Sequence, residues 1–319
     1  MKVIITDYYY PNINDEIEIL SKIPNINIID CKKEIKNWKN TEEEIIEISK
    51  DADAIIVQFA KITKNIIENL NKCKIIARYA IGVDTIDVKA ANKKGIIVSN
   101  VPDYCLEEVS DTAIGHILNC IRKISFSRDL LLQNKFDFSL IKPMKKMSDL
   151  VIGILGFGNI GRAVARKLKE FNVQLLVYDP YFKEQEKYKS IKFVTFDDII
   201  KESDVITIHL PLNKETKHML SSEQFNNMKD EVIIINTSRG EIINEKDLLS
   251  ALNNKKVSCC GLDVLQTENF YENILTHHPR VIVTPHIGWN SVSSIKELQR
   301  KTALNVYNML INGEPLYKV

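Results

Sequence analysis

One short stretch restricts the fold of this chain more than any other. The apolar run Val151-Ile152-Gly153-Ile154-Leu155 leads directly into Gly156-Phe157-Gly158-Asn159-Ile160-Gly161. Arg162-Ala163-Val164-Ala165-Arg166-Lys167-Leu168 then continues with apolar residues at helical spacing. Strand, glycine-rich turn and helix in that order open a parallel βαβ unit. Gly156 permits the tight turn, Gly158 lets backbone approach an anion, and Gly161 lets helix and strand pack closely. The amides of Asn159 and Ile160 begin the helix without intrahelical partners, at the positive end of its dipole. Such a helix start suits a pyrophosphate.

The surroundings of this turn agree with it. Asp179 stands eighteen residues beyond Gly161, at the end of the next apolar run, 174–178. A carboxylate there can bind both hydroxyls of an adenosine ribose and repels a 2′-phosphate, so NAD is expected rather than NADP. Further near-continuous apolar runs at 205–209, 232–236, 259–263 and 281–284 predict strands of a sheet covered on both faces. Upstream, β-branched runs at 3–6, 26–30, 54–59, 74–78 and 96–98 alternate with helix-compatible stretches. One of these, 41–50, opens with the capping box Thr41-Glu42-Glu43-Glu44. Val109, Ala113, Ile117, Cys120 and Ile121 predict a helix over 103–123, and 291–312 predicts another with no strand after it. Residues 125–149 read as an irregular arm. The fold class expected is α/β, with two doubly wound parallel sheets.

Composition removes several function classes. Across 319 residues, 43 basic side chains meet 42 acidic ones, so nothing draws this protein to nucleic acid or to an anionic membrane surface. The apolar stretch 150–161 is shorter than the ~20 residues of a spanning helix. The start, Met1 to Asp7, meets an acid before any signal-like apolar region, so a cytoplasmic location is expected. The six cysteines show no C-x-x-C spacing; reduced thiols and no metal site are expected.

Polar groups recur just past the apolar runs, where ligands of doubly wound sheets lie. His286 sits in Thr284-Pro285-His286-Ile287-Gly288-Trp289, and Arg239 in Asn236-Thr237-Ser238-Arg239-Gly240. Asp263 ends Gly261-Leu262-Asp263, with Glu268 five residues on, and His209 precedes Leu210-Pro211. Arginine is scarce, 8 against 35 lysines, which singles out Arg239, whose planar fork can grip a carboxylate. Helix caps and surface ion pairs are the bland account of the same groups. His116 and the His277-His278 pair read as structural.

These blocks resemble the D-isomer-specific 2-hydroxyacid dehydrogenase family along essentially the whole chain. Tyr79-Ala80-Ile81-Gly82-Val83-Asp84 and Asn100-Val101-Pro102-Asp103-Tyr104-Cys105 match as well. Residues 107–112, His116-Ile117-Leu118 and Trp289 are most similar to the branch with C-terminal-binding proteins and phosphoglycerate-dehydrogenase-like bacterial enzymes. The resemblance implies a flavodoxin-like substrate domain, residues 1–99 and 288–319, with an NAD-binding Rossmann domain, 100–287, inserted into it. It implies reduction of a 2-keto acid to a D-2-hydroxy acid by NADH, and the reverse. His286 would be the general acid and base, Glu268 its partner, and Arg239 the group that binds and polarises the substrate. Asp263 would hold the nicotinamide carboxamide with Thr237 nearby, while Thr112, His209 and Pro211 would line the cofactor. The backbone of Ile81 and Gly82 would hold the substrate carboxylate, and Trp289 would narrow the pocket.

A homodimer through the cofactor domains is also implied, with 125–149 as its arm. Departures from the family pattern are Asn269 after Glu268, Asp149 before the nucleotide-binding strand, Asp111 in the long helix, and Asn172 where a helix-ending glycine is usual. Asparagine tolerates the left-handed conformation that such an ending needs. The competing reading is an NAD(H)-responsive binding protein that keeps the dehydrogenase site.

Overall fold

Short β-branched runs and capped helices alternate from the first residues. In a computed structural model that describes residues 1–135, 137–141 and 144–319, the order is β1 (Lys2–Ile5), α1 (Asn14–Leu20), β2 (Asn27–Asp30), α2 (Cys31–Glu34), α3 (Glu42–Ser49), β3 (Ala54–Val57), α4 (Lys64–Glu68), β4 (Ile75–Arg78), α5 (Val88–Lys93) and β5 (Ile97–Ser99). Phe136, Lys142 and Pro143, inside the predicted arm, lie outside the described residues. The five strands form a parallel sheet in the order β2-β1-β3-β4-β5, and every residue of β3 is buried. Thr41 caps α3 with both bonds of the capping box.

The carboxyl ends of these strands are tied together. Asp7, just past β1, accepts the backbone N–H groups of Gln58, Phe59 and Ala60 at 3.2, 2.6 and 3.2 Å. Past β4, Arg78 donates to Gly82 O at 2.9 Å and Asn100 Nδ2 donates to Ile81 O at 2.6 Å. With their carbonyls held, the Ile81 and Gly82 peptides have fixed planes. The fully buried Glu16 of α1 accepts from Tyr79 OH at 2.6 Å and from Gln299, and burial pushes its carboxyl up.

The second series comprises α6 (Leu106–Arg122), α7 (Ile124–Leu132), β6 (Val151–Leu155), α8 (Asn159–Lys169), β7 (Gln174–Tyr178), β8 (Lys192–Phe193), α9 (Phe196–Glu202), β9 (Val205–Ile208), α10 (Ser222–Asn227), β10 (Val232–Asn236), α11 (Glu245–Asn253), β11 (Val257–Leu262) and β12 (Val281–Val283). Its parallel sheet runs β12-β11-β10-β9-β6-β7-β8. Successive strand residues face different cores. Val205 packs with Ile117 of α6 and Val164 and Leu168 of α8, whereas Ile206 and Ile208 pack with Phe225, Leu248 and Leu252 of α10 and α11. Both faces are covered, which is why these runs are apolar without alternation.

Two predicted elements differ. The helix 103–123 starts at Leu106 and stops at Lys123, whose φ of +52° breaks the hydrogen-bond ladder. The chain then restarts as α7, so the arm is helical at its beginning; none of its nine residues is buried, which removes the apolar signature. Asn172, three residues past α8, has φ +54°.

α12 (Val292–Asn312) closes the chain with Ser291 as its cap. Met1–Tyr104 with Ser291–Val319 make one compact unit and Cys105–Asn290 the other. The seams at 104 and 290 lie a few residues past the predicted 99 and 287. Val101 N–H bonds to Ala80 O and Asn305 to Asn100 O, so this segment stays with the first sheet. All six cysteines are free thiols, and among the described residues no helix is long and apolar enough to cross a membrane.

Candidate active site

The glycine turn joins β6 to α8. Gly156 has φ +92°, and a Cβ there would lie 2.6 Å from His209 O, so the ends of β6 and β9 approach at this point. β6 lies between β7 and β9, which is where the strand order of the second sheet reverses. A Cβ on Gly161 would meet Gly156 O at 2.1 Å, whereas one on Gly158 would enter open space. Gly158 is the N-cap of α8 and provides no capping side chain, leaving the amides of Asn159, Ile160 and Gly161 to an anion. Asn159 Oδ1 is taken by Arg162 at 2.6 Å.

Phe157, between the two glycines, is fully buried. Phe182, Tyr188 and Phe193 meet it edge-on at centroid distances of 5.0, 5.0 and 5.2 Å. Each such pair contributes about 0.5–1.5 kcal/mol beyond its area burial. Asp179 also braces the turn, accepting from Phe157 N at 2.8 Å and Tyr181 N at 2.9 Å.

His209 bonds Thr207 Oγ1 through Nε2 at 2.9 Å, and burial pushes its imidazole down to about 3, so it is neutral. His209 Nδ1 and Thr237 Oγ1 are buried polar atoms without a hydrogen-bond partner. Ser238 Oγ donates to Ile208 O at 2.7 Å, which sets Thr237 against the end of β9. Unsatisfied polar atoms and an open helix start are what a dinucleotide would engage, so these residues fit NAD. Pro211 follows on the same loop, its carbonyl accepting from Thr216 at 2.6 Å.

Past β10, β11 and β12, which are neighbours, lie the other candidates. Asn236 folds the Arg239 loop by accepting from Ser238 N and donating to Arg239 O, each at 2.9 Å. Arg239 Nη1 donates to Ser238 O at 2.7 Å. A Cβ on Gly240 would fall 2.0 Å from Leu265 C, so the Arg239 loop lies directly on the strand of backbone that leads to Glu268. Glu268 Oε1 in turn lies 2.7 Å from His286 Nδ1, with the histidine side chain 38% exposed and therefore reachable by a solute. Trp289 Nε1 donates to His286 O at 2.8 Å. The three candidate catalytic groups thus belong to loops that touch one another on one end of one sheet. Ile81 and Gly82 are in the first unit.

Asp263, the residue expected at the nicotinamide carboxamide, also holds together its own surroundings. It is 2% exposed, and its carboxylate accepts from Thr284 Oγ1 at 2.6 Å, Ile287 N at 3.0 Å and Gly288 N at 2.8 Å. It braces the loop that carries His286. His116, read from sequence as structural, and Gly240, quoted only as part of the Arg239 block, have packing roles that only contacts distant in sequence reveal. Thr112 lies close to Gly288, 3.6 Å from where a Cβ would be. Among the described residues no group of three metal-binding side chains is present.

The family described as D-isomer specific 2-hydroxyacid dehydrogenase, NAD binding domain, matches residues 114–288. A hydroxypyruvate reductase of Thermotoga maritima is 36% identical over 269 residues, covering 83% of this chain and 86% of that protein. A D-3-phosphoglycerate dehydrogenase of Methanocaldococcus jannaschii is 34% identical over 94% of this chain, which spans about half (55%) of that protein. A crystal structure of a glyoxylate reductase from Paecilomyes thermophila superposes with a TM-score of 0.89 at 27% identity, covering 100% of this chain and 98% of that one. With the glycine turn and the strand-end groups in place, the chain belongs to the D-isomer-specific 2-hydroxyacid dehydrogenase family and is an NAD-dependent oxidoreductase.

Proposed function

We propose that this protein reduces a small 2-keto acid to its D-2-hydroxy acid, with His286 as the proton donor, and catalyses the reverse oxidation. The Glu268–His286 pair, 2.7 Å apart beside the Arg239 loop, is the observation that carries this reading. NADH, when bound, supplies the hydride that C2 of the keto acid receives. His286 gives a proton to the forming alkoxide through Nε2, the nitrogen not engaged by Glu268. Glu268 accepts from Nδ1–H and orients the ring; the donating form is the imidazolium, protonated on both nitrogens, and loss of the Nε2 proton leaves the neutral Nδ1–H tautomer. Arg239 binds the substrate and stabilises the negative charge that grows on its carbonyl oxygen. The N–H groups of Ile81 and Gly82 are our candidates for the substrate carboxylate, and Trp289 for a pocket wall.

Glycine-turn amides would hold the pyrophosphate and Asp179 the adenosine ribose, with Thr112, His209, Pro211 and Thr237 lining the cofactor. We place the protein in the cytoplasm as a homodimer, its exposed α7 residues Ile124, Leu131 and Leu132 serving the contact.

The test is NADH oxidation with a panel containing glyoxylate, hydroxypyruvate, pyruvate and branched or aromatic keto acids. At least one should turn over. His286→Asn should lower kcat by about 10²–10⁴ while NADH binding persists. NADH-dependent assembly without turnover on any keto acid would favour the binding-protein reading instead.

A further inference from the structure

We propose that His116, on α6, is a positioning residue that sets the loop carrying His286 through Thr284 and Asp263; this rests on the acid–base reading above. His116 is 5% exposed, and room has been made for it. A Cβ on Gly261 of β11 would lie 2.6 Å from His116 Cβ and 2.8 Å from its Cγ and Nδ1, so any larger residue there would expel the ring. His116 Nε2 lies 3.0 Å from Thr284 Oγ1, and Thr284 Oγ1 donates its one proton to Asp263 Oδ1 at 2.6 Å. With that proton committed, the hydroxyl can only accept from the ring, which assigns the Nε2–H tautomer of neutral His116. Burial holds this imidazole below its usual range against the opposing pull of Asp263, in keeping with that form.

Asp263 then grips the far side of the loop. Its side chain takes Ile287 N and Gly288 N, and its carbonyl takes His286 N at 2.9 Å. His286 is thus clamped before and after by one residue whose orientation His116 and Thr284 set. The clamp matters because His286 has φ +52°, a conformation its neighbours must enforce. Without the donor on His116, Thr284 Oγ1 is free to turn away from Asp263, and the imidazole–Glu268 geometry loosens.

The test uses the full chain, NADH and the best keto acid of the panel. His116→Leu keeps bulk and removes the donor; His116→Gln restores an N–H at similar reach; Thr284→Val cuts the middle of the chain. His116→Leu should lower kcat about 10- to 100-fold, as expected for roughly 1 Å of misplacement, with NADH affinity within about twofold of wild type. His116→Gln should recover most of the loss. The double variant His116→Leu/Thr284→Val should be no worse than Thr284→Val alone, since either change breaks the same chain. Lowered melting temperature with wild-type kcat in His116→Leu and Thr284→Val would overturn the proposal, as would full additivity or a Gln variant as poor as Leu. Should His116→Leu fail to fold, the Gln variant and the Thr284→Val comparison decide the matter alone. His286→Asn, run alongside, separates the two readings. A normal rate there removes the acid–base reading itself, whereas an inactive His286→Asn beside a normal His116→Leu removes only the positioning role.

Discussion

Replacing Gly240 by alanine asks whether the Arg239 and Glu268 loops are built as one piece. The added methyl would sit 2.0 Å from Leu265 C, 2.2 Å from Leu265 O and 2.4 Å from Gln266 N. All three are backbone atoms, so no side chain can swing aside. Restoring ordinary contact at 3.4 Å requires the two loops to part by about 1.4 Å. Arg239 is adjacent to the substitution and Glu268 three residues beyond Leu265, so the displacement falls on the guanidinium and on the partner of His286. A reacting group misplaced by ~1 Å costs about 10²-fold, and kcat/KM should fall by that order. Overpacking should also cost roughly 1–3 kcal/mol of stability. Steady-state NADH oxidation gives the first quantity and denaturant melts the second. NADH binding, followed by fluorescence titration, should hold within about twofold, because the glycine turn belongs to β6. A variant with kcat/KM within about threefold of wild type would refute the inference that this contact fixes the geometry of the site.

Three further outcomes are expected. Arg239→Lys should lose more kcat/KM than retention of charge suggests, by about tenfold or more, because a planar two-bond grip becomes a point charge; equal values for the two proteins would exclude such a grip. Asp179→Asn should narrow the preference for NADH over NADPH by about tenfold, and a wild-type enzyme that uses both equally would contradict the ribose assignment. Acid should destabilise the fold through His209. The unfolded histidine takes up a proton near pH 6.5 while the folded one resists until about 3, so stability is present above 6.5 and is lost as pH falls across that window. The slope approaches about 1.4 kcal/mol per pH unit, and melts of wild type and His209→Gln should diverge between pH 7 and 5. Parallel curves would show that another group governs acid sensitivity.

What could be read in the residues follows from how local its cause is. The strands at 151–155, 174–178 and 232–236 coincide with their predicted runs because burial on both faces leaves an uninterrupted apolar record. The turn at Gly156 and the cap at Thr41 are set within six residues of chain, and both were legible. Placement just past apolar runs likewise marks Arg239, Glu268 and His286 in the sequence itself. By contrast, the restart of α7 after Lys123 depends on one left-handed residue that no motif announces. Gly240 and Gly261 are small because of segments 25 and 145 residues away, and the three donors to Asp263 lie 21 to 25 residues further along the chain.

The cage around Phe157 carries a consequence for variation. Its walls come from 182–193, a stretch whose regular structure is one 3-10 turn, Gln185–Lys187, and the two-residue strand β8. This makes a sparsely ordered stretch of the unit the buttress for its glycine turn. Drift at Phe182 or Tyr188 should therefore register as weakened nucleotide affinity through the turn they buttress, while Phe193 also lines the cavity beside Asp179. A library meant to retune the cofactor should hold these rings constant and vary the loop rim instead.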